Sequence, residues 1–196
     1  MYKSIFKTDE VVAPAELLKE FEAHLEQRLS VVYAKLDSWT GVTVYRRNGE
    51  NELENLPELR SLVEQIGLQH VGAVTYFKLK KGAEQHEHRD MYGNLLFNCS
   101  RIHIPLQTNE KAFLQVERIK YSLKVGEVWC LDTAGRHAAQ NLGDCDRIHL
   151  VIDVFRAPAT EKYFPPRNME TRIHLAKFCC IMGFKLVRDA VTKPKS

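Results

Sequence analysis

The apolar positions of this chain follow two periods, which change over near residue 71. Over residues 14–29, Leu18, Phe21, Leu25 and Leu29 recur at helical spacing, and Pro14 suits a first turn. A second helix is predicted over 57–66, with Leu59, Leu62, Val63 and Ile66 on its buried face. Asn55 stands near its start and Gly67 closes it. Between the two, Val42-Thr43-Val44-Tyr45 is a β-rich run and Arg46-Arg47-Asn48-Gly49 a turn. From residue 71 to 155, short β-branched and aromatic runs recur with turn signals between them: 71–80, 100–107, 112–117, 121–124, 127–131 and 147–155. No helix-length pattern interrupts them, which excludes a βαβ protein and predicts an antiparallel sandwich or jelly roll. A last helix is predicted over 169–184, capped by Asn168, with Ile173, Ala176, Cys180 and Phe184 toward the core. The expected organisation is one domain over 1–196: a β core of about 71–155 with helical flanks of about 14–66 and 168–184.

Composition narrows the class without naming it. With 196 residues and a hydrophobic content of 44%, the chain can build a sizeable core. A net charge of +3 is too small to imply a nucleic-acid partner. No apolar run approaches the ~18 residues of a membrane span. The first residues lack a secretory pattern, so the expectation is a cytoplasmic protein. The five cysteines, Cys99, Cys130, Cys145, Cys179 and Cys180, form no Cys-x-x-Cys pair, which predicts free thiols.

Histidine carries the chemistry. In extended chain, alternate side chains share a face, so His86, His88 and Asp90 can point the same way. A later segment, Gly126 to Asp132 followed by a turn at Thr133-Ala134-Gly135, leads to His137 at the start of another strand. His88, Asp90 and His137 supply two imidazoles and one carboxylate, the donor set of non-haem Fe(II) oxygenases. Three ligands on one face leave three positions open, two for a chelating 2-oxo acid and one for dioxygen. Arg147 begins a strand: it is either an exposed strand-end arginine or, if buried, one that needs an anionic partner, Asp153 or the distal carboxylate of 2-oxoglutarate, and its spacing from His137 favours the last. Arg101-Ile102-His103-Ile104 echoes Arg147-Ile148-His149-Leu150. In each strand Arg and His share one face and the aliphatics the other, as the wall of a polar lumen requires.

Taken together, these stretches resemble the aspartyl/asparaginyl β-hydroxylase-like group of 2-oxoglutarate oxygenases, most closely its bacterial small-molecule members that include proline cis-4-hydroxylase. The likeness runs through His88-x-Asp90, Arg101 to Leu106, Thr108-Asn109, Gly126 to Trp129, Leu131-Asp132, His137 to Asn141 and Arg147 to Asp153. It implies a double-stranded β-helix, a mainly β, cupin-like jelly roll with flanking N- and C-terminal helices. It also implies Fe(II) on His88, Asp90 and His137, 2-oxoglutarate on Arg147, and Arg101 and His103 lining the cosubstrate pocket. The implied reaction couples decarboxylation of 2-oxoglutarate to hydroxylation of a C–H bond in an amino acid or amino-acid-like substrate, free, carrier-bound or in a peptide. Two rivals remain at this point. One is a cupin-type metal protein using His86, His88 and His137; the other is a non-catalytic binding domain on the same scaffold. Asp132 and Asn141 are expected either to support the metal ligands or to stabilise turns, with turn capping favoured for Asp132; Trp129 is expected to pack under a helix, and Tyr92 to belong to a lid.

Overall fold

A computed structural model of the protein describes residues 4–32, 38–90 and 94–192, and within the last helix the side chains of 182 and 184–192 are not described. Two compact units emerge, Ser4–Phe164 and a C-terminal one beginning at Pro165. Among the described residues the first holds eleven strands: β1 (Ile5–Val11), β2 (Ser30–Val31), β3 (Trp39–Arg46), β4 (Val71–Leu79), β5 (Ala83–His88), β6 (Cys99–Gln107), β7 (Ala112–Val116), β8 (Ile119–Tyr121), β9 (Glu127–Leu131), β10 (His137–Asn141) and β11 (Arg147–Phe155). Helix α1 (Pro14–His24) and helix α2 (Pro57–Ile66) complete it. A seven-stranded sheet runs β1-β9-β6-β11-β4-β3-β2 and a four-stranded sheet β5-β10-β7-β8, both antiparallel throughout. The chain is therefore a jelly roll of the cupin-like, double-stranded β-helix kind.

The expected inside–outside alternation holds along β6 and β11. Ile102, Ile104, Ile148, Leu150 and Ile152 are buried on the outer face of the large sheet. There α1 packs over β6, and Phe21 of α1 stacks on Tyr76 of β4 at 5.1 Å between ring centroids. Arg101, His103, Arg147 and His149 consequently face inward, into the space between the sheets. An apolar cluster of Ile5, Leu114, Val116, Leu123 and Leu131 joins β1 and β9 to β7.

Several expectations are corrected. The large sheet takes in β1, β2 and β3, outside the 71–155 span that the periodic runs suggested. The run at 121–124 contributes only Tyr121, because a turn at Glu117 and Arg118, both at positive φ, starts β8 earlier. Helix α1 ends at His24, not at residue 29, and buries Leu17, Glu20 and Phe21. That shift has a purpose. The start of α2 has no local side-chain cap, and the Glu20 carboxylate takes that place, accepting from the backbone N–H groups of Glu58 at 3.0 Å and Leu59 at 3.1 Å. Asn55 lies in the preceding short 3-10 turn instead. Replacing Glu20 by alanine strands two donors at a buried helix start, and is expected to lower stability by about 1–2 kcal/mol in urea unfolding, with Glu20→Gln recovering part of it.

In the C-terminal unit, helix α3 (Met169–Thr192) is capped as expected by Asn168, whose Oδ1 accepts from Thr171 N–H at 3.0 Å. Its apolar face differs from expectation: Ile173, Ala176 and Cys180 are exposed, and the Phe184 side chain lies outside the described residues. Among the described residues, no helix is long and apolar enough to cross a membrane. All five cysteines are free thiols.

Candidate metal and cosubstrate site

The site begins with an irregularity in β5. His137 of β10 pairs with His88, but two residues further along Ala139 pairs with Gln85, so β5 carries an extra residue over that stretch. Such a bulge breaks the alternation of faces and re-aims a side chain. Gln85 and His88 both line the inner cavity, while His86 and Glu87 are exposed. This removes His86 from the candidate ligands and with it the cupin arrangement of His86, His88 and His137. Substitution of His86 by alanine is expected to leave metal binding and turnover within twofold of the unmodified protein, measured side by side.

Beyond β5, the backbone N–H of Asp90 donates to Thr133 O at 3.0 Å, tying the ligand loop to the turn that precedes His137. That turn is held by Asp132, whose Oδ1 accepts from Ala134 N–H at 3.2 Å and Leu95 N–H at 3.3 Å. His88, Asp90 and His137 then converge, their nearest ligand atoms all within 4.8 Å of one another. The His88 and His137 rings are 4.3 Å apart between centroids.

Backbone carbonyls set the tautomers. His88 Nδ1 lies 2.9 Å from His86 O, and His137 Nδ1 lies 3.0 Å from Gly135 O. A carbonyl only accepts, so each Nδ1 carries the proton and each Nε2 presents a lone pair. Burial, with the His88 ring second, pushes the His137 imidazole down to about 4. The ring is therefore neutral and able to ligate near neutral pH.

Across the cavity stands a second cluster. Arg147 is buried, and burial alone pushes its guanidinium down to about 10, so it keeps its charge at pH 7. Its described partner is a histidine: Nη2 donates to His149 Nδ1 at 3.1 Å. A guanidinium cannot accept, so neutral His149 carries its proton on Nε2. That nitrogen is buried with no partner among the described residues, and so are both ring nitrogens of His103. Burial first, and the Arg147 charge next, hold His103 and His149 well below the usual imidazole range. A fixed cation and unsatisfied neutral donors thus line one cavity of about 200 Å³ together with the His-Asp-His cluster. Buried polar groups without partners are costly, and a carboxylate ligand supplies the missing acceptors.

Asp153, weighed above as a partner for Arg147, belongs to Arg101, its direct cross-strand neighbour. The fork is bidentate, Nε to Oδ1 at 2.7 Å and Nη2 to Oδ2 at 3.0 Å, while Arg101 Nη1 donates to Asp90 Oδ2. Burial lowers the Arg101 pKa, but Asp153 and Asp90 outweigh it and hold it above its ordinary value. Trp39, Phe77, Val32 and Leu114 form the apolar wall, with the Trp39 ring 6.2 Å from that of His88. Nothing in the sequence marks these four or Gln85 as lining a site, since aromatic and aliphatic residues in a β-rich region read first as core. Asn141 stabilises a turn away from the metal cluster, bonding Asn109, Leu79 and Cys145. Trp129 does not lie under a helix; it meets Tyr121 edge-on at 6.0 Å and donates to Glu127 at 2.8 Å. Tyr92 falls outside the described residues.

Residues 8–157 match the family model described as aspartyl/asparaginyl beta-hydroxylase. The chain belongs to the aspartyl/asparaginyl β-hydroxylase family. Membership makes it an enzyme of the oxygenase class, which removes the non-catalytic rival. Solved structures agree on the fold. The epimerase SnoN, in complex with Fe3+, alpha ketoglutarate and nogalamycin RO, superposes with a TM-score of 0.61 at 11% identity, covering 79% of each chain. The viral collagen prolyl hydroxylase of Paramecium bursaria Chlorella virus-1, a 2OG complex, gives 0.52 at 11% identity, covering 79% of this chain and 97% of that one. A 2OG-Fe(II) oxygenase family protein of Burkholderia pseudomallei gives 0.50 at 16% identity, covering 72% and 77%.

Proposed function

We propose that the protein is an Fe(II)- and 2-oxoglutarate-dependent dioxygenase that hydroxylates an unactivated C–H bond of an amino acid or amino-acid-like substrate, releasing succinate and CO2. The observation that carries this reading is the pairing of two clusters in one cavity. Three converging donors, two imidazole nitrogens and one carboxylate, suit Fe(II) with positions left open. Arg147, buried and charged with no carboxylate bonded to it in the described structure, suits the distal carboxylate of a 2-oxo diacid. Iron, when bound, supplies the oxidising chemistry. The chain's own residues do the rest. His137 keeps its Nε2 lone pair toward the cluster, and His88 Nε2, which accepts from Gln85 Nε2 at 3.1 Å, would exchange that bond for the metal. Arg147 fixes the far end of the cosubstrate by a two-pronged contact, with His103 and His149 donating alongside. Leu114, Phe77 and Trp39 exclude water from the reacting region, which limits loss of oxidising equivalents. His88, Asp90 and His137 are the proposed ligands, and Arg147, Arg101 and His103 the residues about the cosubstrate.

The test is a succinate-release assay across free amino acids and short peptides, each hit checked by mass for one added oxygen. A substrate that raises succinate release and gains 16 mass units supports the reading. Succinate release that no amino-acid-like compound stimulates overturns the substrate class. Ring or backbone epimerisation without added oxygen overturns the hydroxylation.

A further inference from the structure

We propose that Arg101, held in place by Asp153, is a positioning residue that restricts Asp90 to ligating the metal through a single oxygen. The inference rests on the metal reading above and extends it.

The geometry assigns each hydrogen-bonding edge of Arg101 a task. β6 and β11 place Arg101 and Asp153 directly opposite each other on the inner face of the large sheet. The fork to both Asp153 oxygens fixes the guanidinium plane through Nε and Nη2. Planarity then dictates where Nη1 points, and it meets Asp90 Oδ2. The other Asp90 oxygen, Oδ1, faces the imidazoles and lies 3.5 Å from His88 Nε2. Asp90 itself stands beyond the end of β5, where no ladder fixes its side chain.

A carboxylate has two oxygens and can occupy one or two positions on an ion. Two imidazoles and a one-oxygen carboxylate leave three positions of six; a two-oxygen carboxylate leaves only two. The proposed chemistry requires three, two for the 2-oxo acid and one for dioxygen. By engaging Oδ2, Arg101 preserves the third. A guanidinium this near a metal site would ordinarily repel the ion. Here one guanidinium bonds two carboxylates, so the group retains a negative charge and still favours a cation.

The test uses metal alone, without 2-oxoglutarate, on the full chain under anaerobic conditions. Co(II) and Fe(II) affinities and the visible Co(II) spectrum are compared for the unmodified protein, Arg101→Gln, Arg101→Lys, Asp153→Asn and His137→Ala. Loss of the restraint lets the second Asp90 oxygen engage, so Arg101→Gln and Asp153→Asn are expected to bind Co(II) more tightly, together with a changed spectrum. The Co(II) bands of Arg101→Gln are expected to change shape as the second oxygen engages. Arg101→Lys, which reaches one carboxylate but not both, is expected to fall between. Circular dichroism establishes that each variant is folded; if Arg101→Gln is not, Arg101→Lys and Asp153→Asn decide. Equal or tighter Co(II) binding by the Arg101 variants, with an unchanged spectrum, overturns the proposal, because removing a merely repelling cation would tighten it. If the unmodified protein binds no metal, or His137→Ala binds it equally well, the metal reading fails and the proposal with it. A flat Arg101 and Asp153 series beside a deficient His137→Ala sinks the positioning role alone.

Discussion

Replacement of His137 by alanine is expected to lower Fe(II) affinity by at least a hundredfold and bring succinate release to background, with the fold intact. His137 sits in the middle of the small sheet, paired with His88 on one side and Val116 on the other. Those ladders are backbone interactions and survive the substitution. The imidazole's polar contact in the described structure is Nδ1 to the Gly135 carbonyl, so the structural loss is about one hydrogen bond, ~1 kcal/mol. The functional loss is much larger, because two remaining donors no longer define a three-ligand face. His88→Ala and Asp90→Ala are expected to behave likewise. Calorimetric Fe(II) titration beside a thermal melt separates the two effects. A variant that loses activity but binds Fe(II) normally would place the metal elsewhere.

Arg147→Met is expected to weaken 2-oxoglutarate binding by at least a hundredfold while leaving Fe(II) affinity within a few-fold and stability unchanged or raised. Among the described residues no carboxylate is bonded to the buried guanidinium, and burial is the cause of its lowered pKa. Folding therefore carries the cost of holding that charge, and an apolar side chain of similar length relieves it by up to about 1–3 kcal/mol. Function is expected to move the other way, because the proposed anchor for the distal carboxylate is gone. The pairing of opposite signs makes the measurement decisive. An ordinary structural arginine would lose stability on replacement and leave cosubstrate affinity alone. A shorter 2-oxo acid lacking the distal carboxylate is expected to bind Arg147→Met and the unmodified protein about equally.

Much of this arrangement is legible in the chain because period-two spacing translates directly into faces. Arg101 and His103, like Arg147 and His149, stand two apart with aliphatics between, and β6 and β11 turn them inward as that pattern requires. The same rule misplaces His86. It assumes an unbroken strand, and the bulge in β5 slips the alternation so that Gln85 enters the cavity in its place. No residue type at 85–88 announces that bulge. Long-range partners are equally hidden. Asp153 was visible as a carboxylate on the inward face of β11, but its choice of Arg101 over Arg147 depends on which strands are neighbours. Glu20 as the cap of α2 is a contact between two elements that no local motif encodes. β1 carries no strand signal, since Ile5–Val11 holds three charged residues; its neighbour β9 recruits it to the sheet edge.

The central claim is that one cavity holds both the metal and the 2-oxo acid, and anaerobic binding of 2-oxoglutarate with and without Fe(II) tests it most directly. The account predicts one equivalent bound, at least tenfold tighter with Fe(II) present, that gain lost in His137→Ala and the binding itself lost in Arg147→Met. Binding of 2-oxoglutarate that ignores Fe(II), or that survives Arg147→Met unchanged, would contradict it.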